Sequence, residues 1–176
     1  MSLPNWITVA RIALVPVFVV FAYGDSDERA LGAVIFIAAS LSDFLDGYLA
    51  RRWGLASRVG EFLDPLADKL LVGAALVVLV DTREFPLWAA LIIAAREIYI
   101  QIFRTRIVRG GGEMPASWWG KAKTLLQTVM VSWWLLPGDV GFWHWFWLTA
   151  AVTATLWSGY EYVIRTRAQR VERAAP

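Results

Sequence analysis

At 176 residues the chain has the length of one domain, but 58% hydrophobic residues and a mean hydropathy of +0.51 exclude an ordinary soluble protein. The absence of cysteine excludes disulfides and thiol chemistry, and one histidine, His144, is too few for a zinc or soft-metal centre. A formal charge of +2 gives no bulk attraction for nucleic acid, so no such partner is expected, and the placement of charge matters more than its sum.

Apolar runs recur along the whole length, and the pattern predicts an all-α polytopic membrane protein, one domain over 1–176. Six transmembrane helices are expected at 6–23, 31–51, 60–80, 86–107, 121–136 and 142–164. The first run opens with Asn5, Trp6 and Arg11 and lacks the basic start and small-residue cleavage site of a removable signal peptide. Arg11 suits either a snorkelling role at the interface or a place in a functional pocket. Basic residues crowd the second connection (Arg51, Arg52, Arg58), the fourth (Arg104, Arg106, Arg109, Lys121, Lys123) and the C-terminus (Arg165, Arg167, Arg170, Arg173). The other connections carry only Arg29 and Arg83, among several carboxylates. The positive-inside rule then places both termini and the even connections in the cytoplasm, as a multi-pass protein of the inner membrane.

The stretch SDFLDGYLARRWGLASRVGEFLDPLADKL, 42–70, carries Asp43, Asp46, Asp64 and Asp68 between apolar segments. Ionisable groups at that depth need a function. On a helix Asp43, Asp46, Gly47 and Ala50 share one face, at i, i+3, i+4 and i+7, and Gly60, Asp64 and Asp68 share another. Carboxylates converging there repel at reduced dielectric, so either some are protonated or divalent cations lie between them. Oxygen donors suit Mg²⁺, Mn²⁺ or Ca²⁺. Gly54, Ser57 and Gly60 suit a turn between helices two and three, and Pro65 is expected in the first turn of helix three.

The spacing D-x2-D-G-x2-A-R-x8-G-x3-D-x3-D resembles the signature of the CDP-alcohol phosphotransferase family, with every fixed position filled by Asp43, Asp46, Gly47, Ala50, Arg51, Gly60, Asp64 and Asp68. The resemblance implies a bundle of about six transmembrane helices that displaces CMP from a CDP-linked lipid with an alcohol, aided by two divalent cations, Mg²⁺ or Mn²⁺. It implies that Asp43, Asp46, Asp64 and Asp68 hold the metals and that Asp68 is also the catalytic base. Asp46, Gly47, Ala50, Arg51 and Gly60 would receive the CDP-lipid, with Asn5, Thr8 and Arg11 of a P-N-x2-T-x2-R opening beside them. The site would face the cytoplasm.

Helix four contains AAREIYIQIFRTRI, in which Arg96 and Arg104 fall on one face. Arg96 with Glu97 reads either as a structural ion pair or as part of an anion site. Gly110, Gly111 and Gly112 read as a loop, and Gly120, Lys121 and Lys123 open helix five, where the lysines are either interfacial anchors or anion ligands. The A-R-E-I and G-K-x-K-T-x2-Q segments, through Arg96, Glu97, Gly120, Lys121, Lys123, Thr124 and Gln127, are similar to the phosphatidylglycerophosphate-synthase branch of that family. That branch implies sn-glycerol 3-phosphate as acceptor and CDP-diacylglycerol as donor, with Arg96, Arg104, Lys121 and Lys123 on the acceptor phosphate. Cardiolipin synthases and inositol-phosphate-using enzymes would keep the aspartates and change the acceptor; a proton-coupled transporter and an intramembrane prenyltransferase are more remote alternatives.

Trp118, Trp119, Trp133, Trp134, Trp143, Trp145 and Trp147 read as interfacial belts in contact with membrane lipids, and His144 as an interfacial residue far from the aspartates. The tail from Arg165 is expected to be frayed or amphipathic. Gly32, Ala33, Gly73, Ala74 and Ala75 suit close helix packing or a seam between copies, and a homodimer is expected.

Overall fold

A computed structural model describes the backbone of residues 3–53, 58–109 and 118–174, and the side chains of 8–42, 66–107 and 118–165. The described residues form six α-helices and no strand: α1 Leu3–Ala22, α2 Ser26–Trp53, α3 Arg58–Thr82, α4 Leu87–Arg109, α5 Trp118–Leu135 and α6 Phe142–Ala174. The all-α expectation and the order of six elements hold. Among the described residues no helix is long and apolar enough to cross a membrane.

Helix ends differ from the apolar runs where polar chemistry extends the helix. α2 starts at Ser26, well before the apolar run, because Asp25 caps it. Its Oδ1 accepts from the Asp27 and Glu28 N–H groups, both at 3.1 Å, and Glu28 Oε2 accepts from the Asp25 N–H at 3.2 Å. This reciprocal pair satisfies donors that a helix start otherwise leaves open. α6 continues as helix to Ala174 instead of fraying at Arg165, and its extension includes an Arg165–Glu161 ion pair one turn apart, at 2.6 Å. α3 begins at Arg58, which puts Pro65 in the helix interior and Gly60 within the helix; residues 54–57 lie outside the described residues.

The packing divides the chain into two compact units. The first comprises Met1–Pro86 and Val131–Val140. In it α1 packs along both α2 and α3, and its core contains Phe18, Phe36, Leu71, Leu79 and Trp134. The rings of Phe18 and Phe36 meet at 5.7 Å. Gly32 permits a close approach, since a Cβ there would lie 3.1 Å from the Ala22 backbone nitrogen. This assigns Gly32 to packing within the chain. Phe85 meets Trp134 edge-on at 4.9 Å, and Trp134 is fully buried, so it belongs to the core and not to an interfacial belt. Arg83 donates to the carbonyls of Trp134 (3.0 Å), Leu136 (3.0 Å) and Gly138 (2.8 Å), closing the C-terminal end of α5 where orphan carbonyls favour a cation.

The second unit comprises Leu87–Met130 and Gly141–Pro176. α4 packs on α6, with Ile93, Met130, Leu148 and Ala151 buried. His144 is buried in the first turn of α6, and its Nδ1 accepts from the Gly141 N–H at 3.1 Å. The imidazole therefore serves as a helix cap.

Candidate active site

The eight positions of the aspartate pattern fall on two consecutive helices of the first unit. Asp43, Asp46, Gly47, Ala50 and Arg51 lie in the C-terminal half of α2, and Gly60, Asp64 and Asp68 in the N-terminal half of α3. Both sets are helical throughout, so the i, i+3, i+4, i+7 and i, i+4, i+8 spacings are real shared faces. The side chains from 43 to 65, and that of Asn5, lie outside the described residues. Of the predicted donor-lipid and metal residues, Thr8 and Asp68 have described side chains. Thr8 is buried at 1% exposure and Asp68 is half-buried. Arg11 is only 2% exposed, which removes the snorkelling alternative, because a snorkelling head remains in water.

Among the described side chains no group of three or more His, Cys, Asp or Glu converges as a metal site. The donor chemistry nonetheless fits hard divalent cations. All four aspartates lie on the consecutive helices α2 and α3 and supply only oxygen, while the single imidazole belongs to the second unit.

The second unit holds a polar cluster joining α4, α5 and α6. Glu97 Oε1 accepts from Lys123 Nζ and, at 3.3 Å, from Arg96 Nη1. Arg96 Nη2 donates to Ser158 Oγ at 2.8 Å, and one turn away Gln127 Nε2 donates to Thr155 Oγ1 at 3.1 Å. Lys123, Gln127, Thr155 and Ser158 are all buried. Formal charges of two cations and one carboxylate leave the cluster one positive unit. Arg96 Nε is buried and has no hydrogen-bond partner among the described residues. Buried donors are ordinarily satisfied, so this N–H suits an anionic ligand oxygen. The Arg96–Glu97 pair and an anion site are thus compatible, since the pair occupies only part of the guanidinium.

The predicted acceptor quartet is split by burial. Arg96 and Lys123 sit in the cluster, whereas Arg104 and Lys121 are exposed. Sequence reasoning missed Ser158 and Thr155. Their signal was available as a stripe of small polar residues within an apolar helix.

Sequence comparison supplies the family. The model of the CDP-alcohol phosphatidyltransferase family matches residues 1–157. The chain belongs to that family. It is therefore a transferase, and the eight-position aspartate pattern on α2 and α3 lies wholly within the matched stretch. Among curated relatives of this phosphatidyltransferase, a probable phosphatidylglycerophosphate synthase of Mycobacterium tuberculosis is 37% identical over 170 residues, covering 93% of this chain and 81% of the relative. A CDP-diacylglycerol--glycerol-3-phosphate 3-phosphatidyltransferase of Bacillus subtilis is 38% identical, covering 92% of this chain and 93% of the relative. One of the same name from Rickettsia bellii is 40% identical over 132 residues, 74% of this chain and 73% of the relative.

Proposed function

We propose that the protein transfers the phosphatidyl group of CDP-diacylglycerol to sn-glycerol 3-phosphate, releasing CMP and forming phosphatidylglycerophosphate. The relatives named for this reaction support the substrates. The observation that carries the acceptor assignment is the buried Arg96–Glu97–Lys123 cluster, with one net positive charge and a buried guanidinium N–H that has no partner among the described residues. Asp43, Asp46, Asp64 and Asp68 would hold two divalent cations, Mg²⁺ or Mn²⁺, which when bound neutralise the pyrophosphate and the departing CMP. Asp68 takes the proton from the primary hydroxyl of the acceptor as its oxygen attacks the β-phosphorus. The new phosphorus–oxygen bond forms as the bond to the bridging oxygen breaks, and that oxygen leaves with CMP. Gly47, Ala50 and Gly60 present little side chain to cytidine and its ribose, with Asn5, Thr8 and Arg51 beside them. Arg96 and Lys123 bind the acceptor phosphate directly, and the exposed Arg104 and Lys121 attract it.

The enzyme works as a single domain in the inner membrane, with its site open to the cytoplasm. The charge asymmetry of the connections supports this orientation. Large apolar side chains exposed along the helices, such as Val20, Val34, Val77, Leu91 and Leu125, support lipid contact. Two aromatic clusters on α6, one around Phe142, Trp143 and Phe146 and one around Trp157 and Tyr160, lie about 21 Å apart along the helix, in keeping with two interfacial belts.

The deciding experiment incubates purified enzyme with CDP-diacylglycerol, Mg²⁺ or Mn²⁺, and each candidate acceptor, following CMP. Release is expected with sn-glycerol 3-phosphate; equal release with phosphatidylglycerol, glycerol or inositol phosphate would overturn the acceptor. A cysteine placed at Ala174 should be labelled only by reagents that reach the cytoplasm, and one at Ser26 only from outside.

A further inference from the structure

α6 presents a stripe to the cationic cluster. Thr155, Ser158, Gly159 and Tyr162 follow i, i+3, i+4, i+7, the spacing of one helical face. Each makes a contact within the second unit. Thr155 receives the Gln127 amide, and Ser158 receives Arg96 Nη2 while donating its own proton to the Thr155 carbonyl at 3.0 Å. The Ser158 hydroxyl is thereby oriented, with a lone pair turned to the guanidinium. At Gly159 a Cβ would lie 3.6 Å from Arg96 Cγ, so the aliphatic stem of the arginine runs against this position. Tyr162, half-buried, meets the ring of Phe103 on α4 edge-on at 5.8 Å. The stripe thus touches Arg96 through Ser158 and Gly159, and α4 again at Phe103 through Tyr162.

Within one family the acceptor varies while the CDP-linked donor is common. A group that holds the acceptor-binding arginine without being a proposed donor ligand is well placed to adjust acceptor choice. We propose that Ser158, Gly159 and Tyr162 of α6 form an acceptor-specificity element, in which Ser158 and Gly159 are positioning residues that hold Arg96 and Tyr162 supplies a phenol hydroxyl one turn further along the same face. The inference rests on the reading of Arg96 as an acceptor-phosphate ligand. The ligand class recognised is a small phosphomonoester carrying a free hydroxyl.

The test compares full-length Ser158→Ala, Ser158→Thr, Tyr162→Phe and Arg96→Lys enzymes in mixed micelles, with one substrate varied at a time and thermal midpoints recorded. Ser158→Ala and Tyr162→Phe should raise the KM for sn-glycerol 3-phosphate roughly tenfold while kcat and the KM for CDP-diacylglycerol stay within about twofold. Ser158→Thr, which keeps the hydroxyl, should lie nearer the unmutated enzyme than Ser158→Ala. Discrimination against glycerol should fall in parallel with the rise in acceptor KM. If Arg96→Lys raises the acceptor KM but neither α6 variant does, the specificity element is overturned and the acceptor reading stands. If Arg96→Lys leaves the acceptor KM unchanged, the acceptor reading itself fails. Equal losses for both substrates alongside a lowered thermal midpoint would make the stripe a packing surface only, and would also overturn the proposal.

Discussion

The first unit carries four aspartates on two consecutive helices, α2 and α3, and the second gathers cations that bring their own counter-ion. On α2 and α3 every charged position of the family pattern except Arg51 is a carboxylate. In the proposed reading divalent cations from outside the chain would balance these carboxylates. On α4 and α5 Glu97 already accepts from Arg96 and Lys123, leaving a small positive excess. The contrast suits the proposed reaction, in which two anionic substrates would be met differently. Divalent cations would neutralise charge where a pyrophosphate reacts, and a partly paired cationic site would hold a phosphate.

The largest effect that would break this contrast is expected in the first unit. Asp68→Asn removes the proposed base, and kcat should fall by roughly 10²- to 10⁴-fold. Asp43→Asn, Asp46→Asn and Asp64→Asn, or a chelator added to the unmutated enzyme, should abolish CMP release. Full activity of Asp64→Asn in chelator would falsify the metal reading.

In the second unit the expected change is in acceptor binding. Lys123→Met should raise the KM for sn-glycerol 3-phosphate by about ten- to a hundredfold, the value of a charge-assisted phosphate contact, with the CDP-diacylglycerol KM little altered. Lys121→Gln and Arg104→Gln should act less, because exposed charges are screened by solvent. Glu97→Gln leaves buried cations uncompensated and should cost roughly 3 kcal/mol, part of which the Glu97→Gln, Lys123→Met double variant regains. Additive losses in a thermal double-mutant cycle would show that the pair is not coupled.

Smaller effects sharpen the contrast by probing packing and capping. Gly32→Leu places atoms where even a Cβ lies 3.1 Å from the Ala22 backbone. Overpacking of this kind should cost about 1–3 kcal/mol, read as a lowered thermal midpoint with substrate KM values preserved. Asp25→Ala removes the cap of α2 and should cost about 1 kcal/mol. A midpoint unchanged by Asp25→Ala would show that the start of α2 is held by other contacts.

Much of this protein was legible in its residues. Six helices follow from apolar runs bounded by charged or glycine-containing connections, because backbone polar groups in an apolar stretch are satisfied most simply within a helix. The aspartate pattern is equally local. Its positions lie within 26 residues, counted from Asp43 to Asp68, and helical periodicity alone sets them on common faces. Helix boundaries were less legible, because Asp25 and Glu28 start α2 by hydrogen bonding that an apolar count ignores.

Tertiary structure decided what depends on partners remote in sequence. Trp134 and Trp133 are neighbours of the same type, yet Trp134 is fully buried against Phe85 while Trp133 is 37% exposed. Lys121 and Lys123 differ in the same way, because only Lys123 reaches the Glu97 carboxylate 26 positions away. Ser158 gained a role only when α6 packed on α4 and its hydroxyl met Arg96, 62 residues distant. Local spacing fixes which face of a helix a side chain occupies. Which neighbour covers that face, and so which charges are buried and paired, depends on how the helices pack.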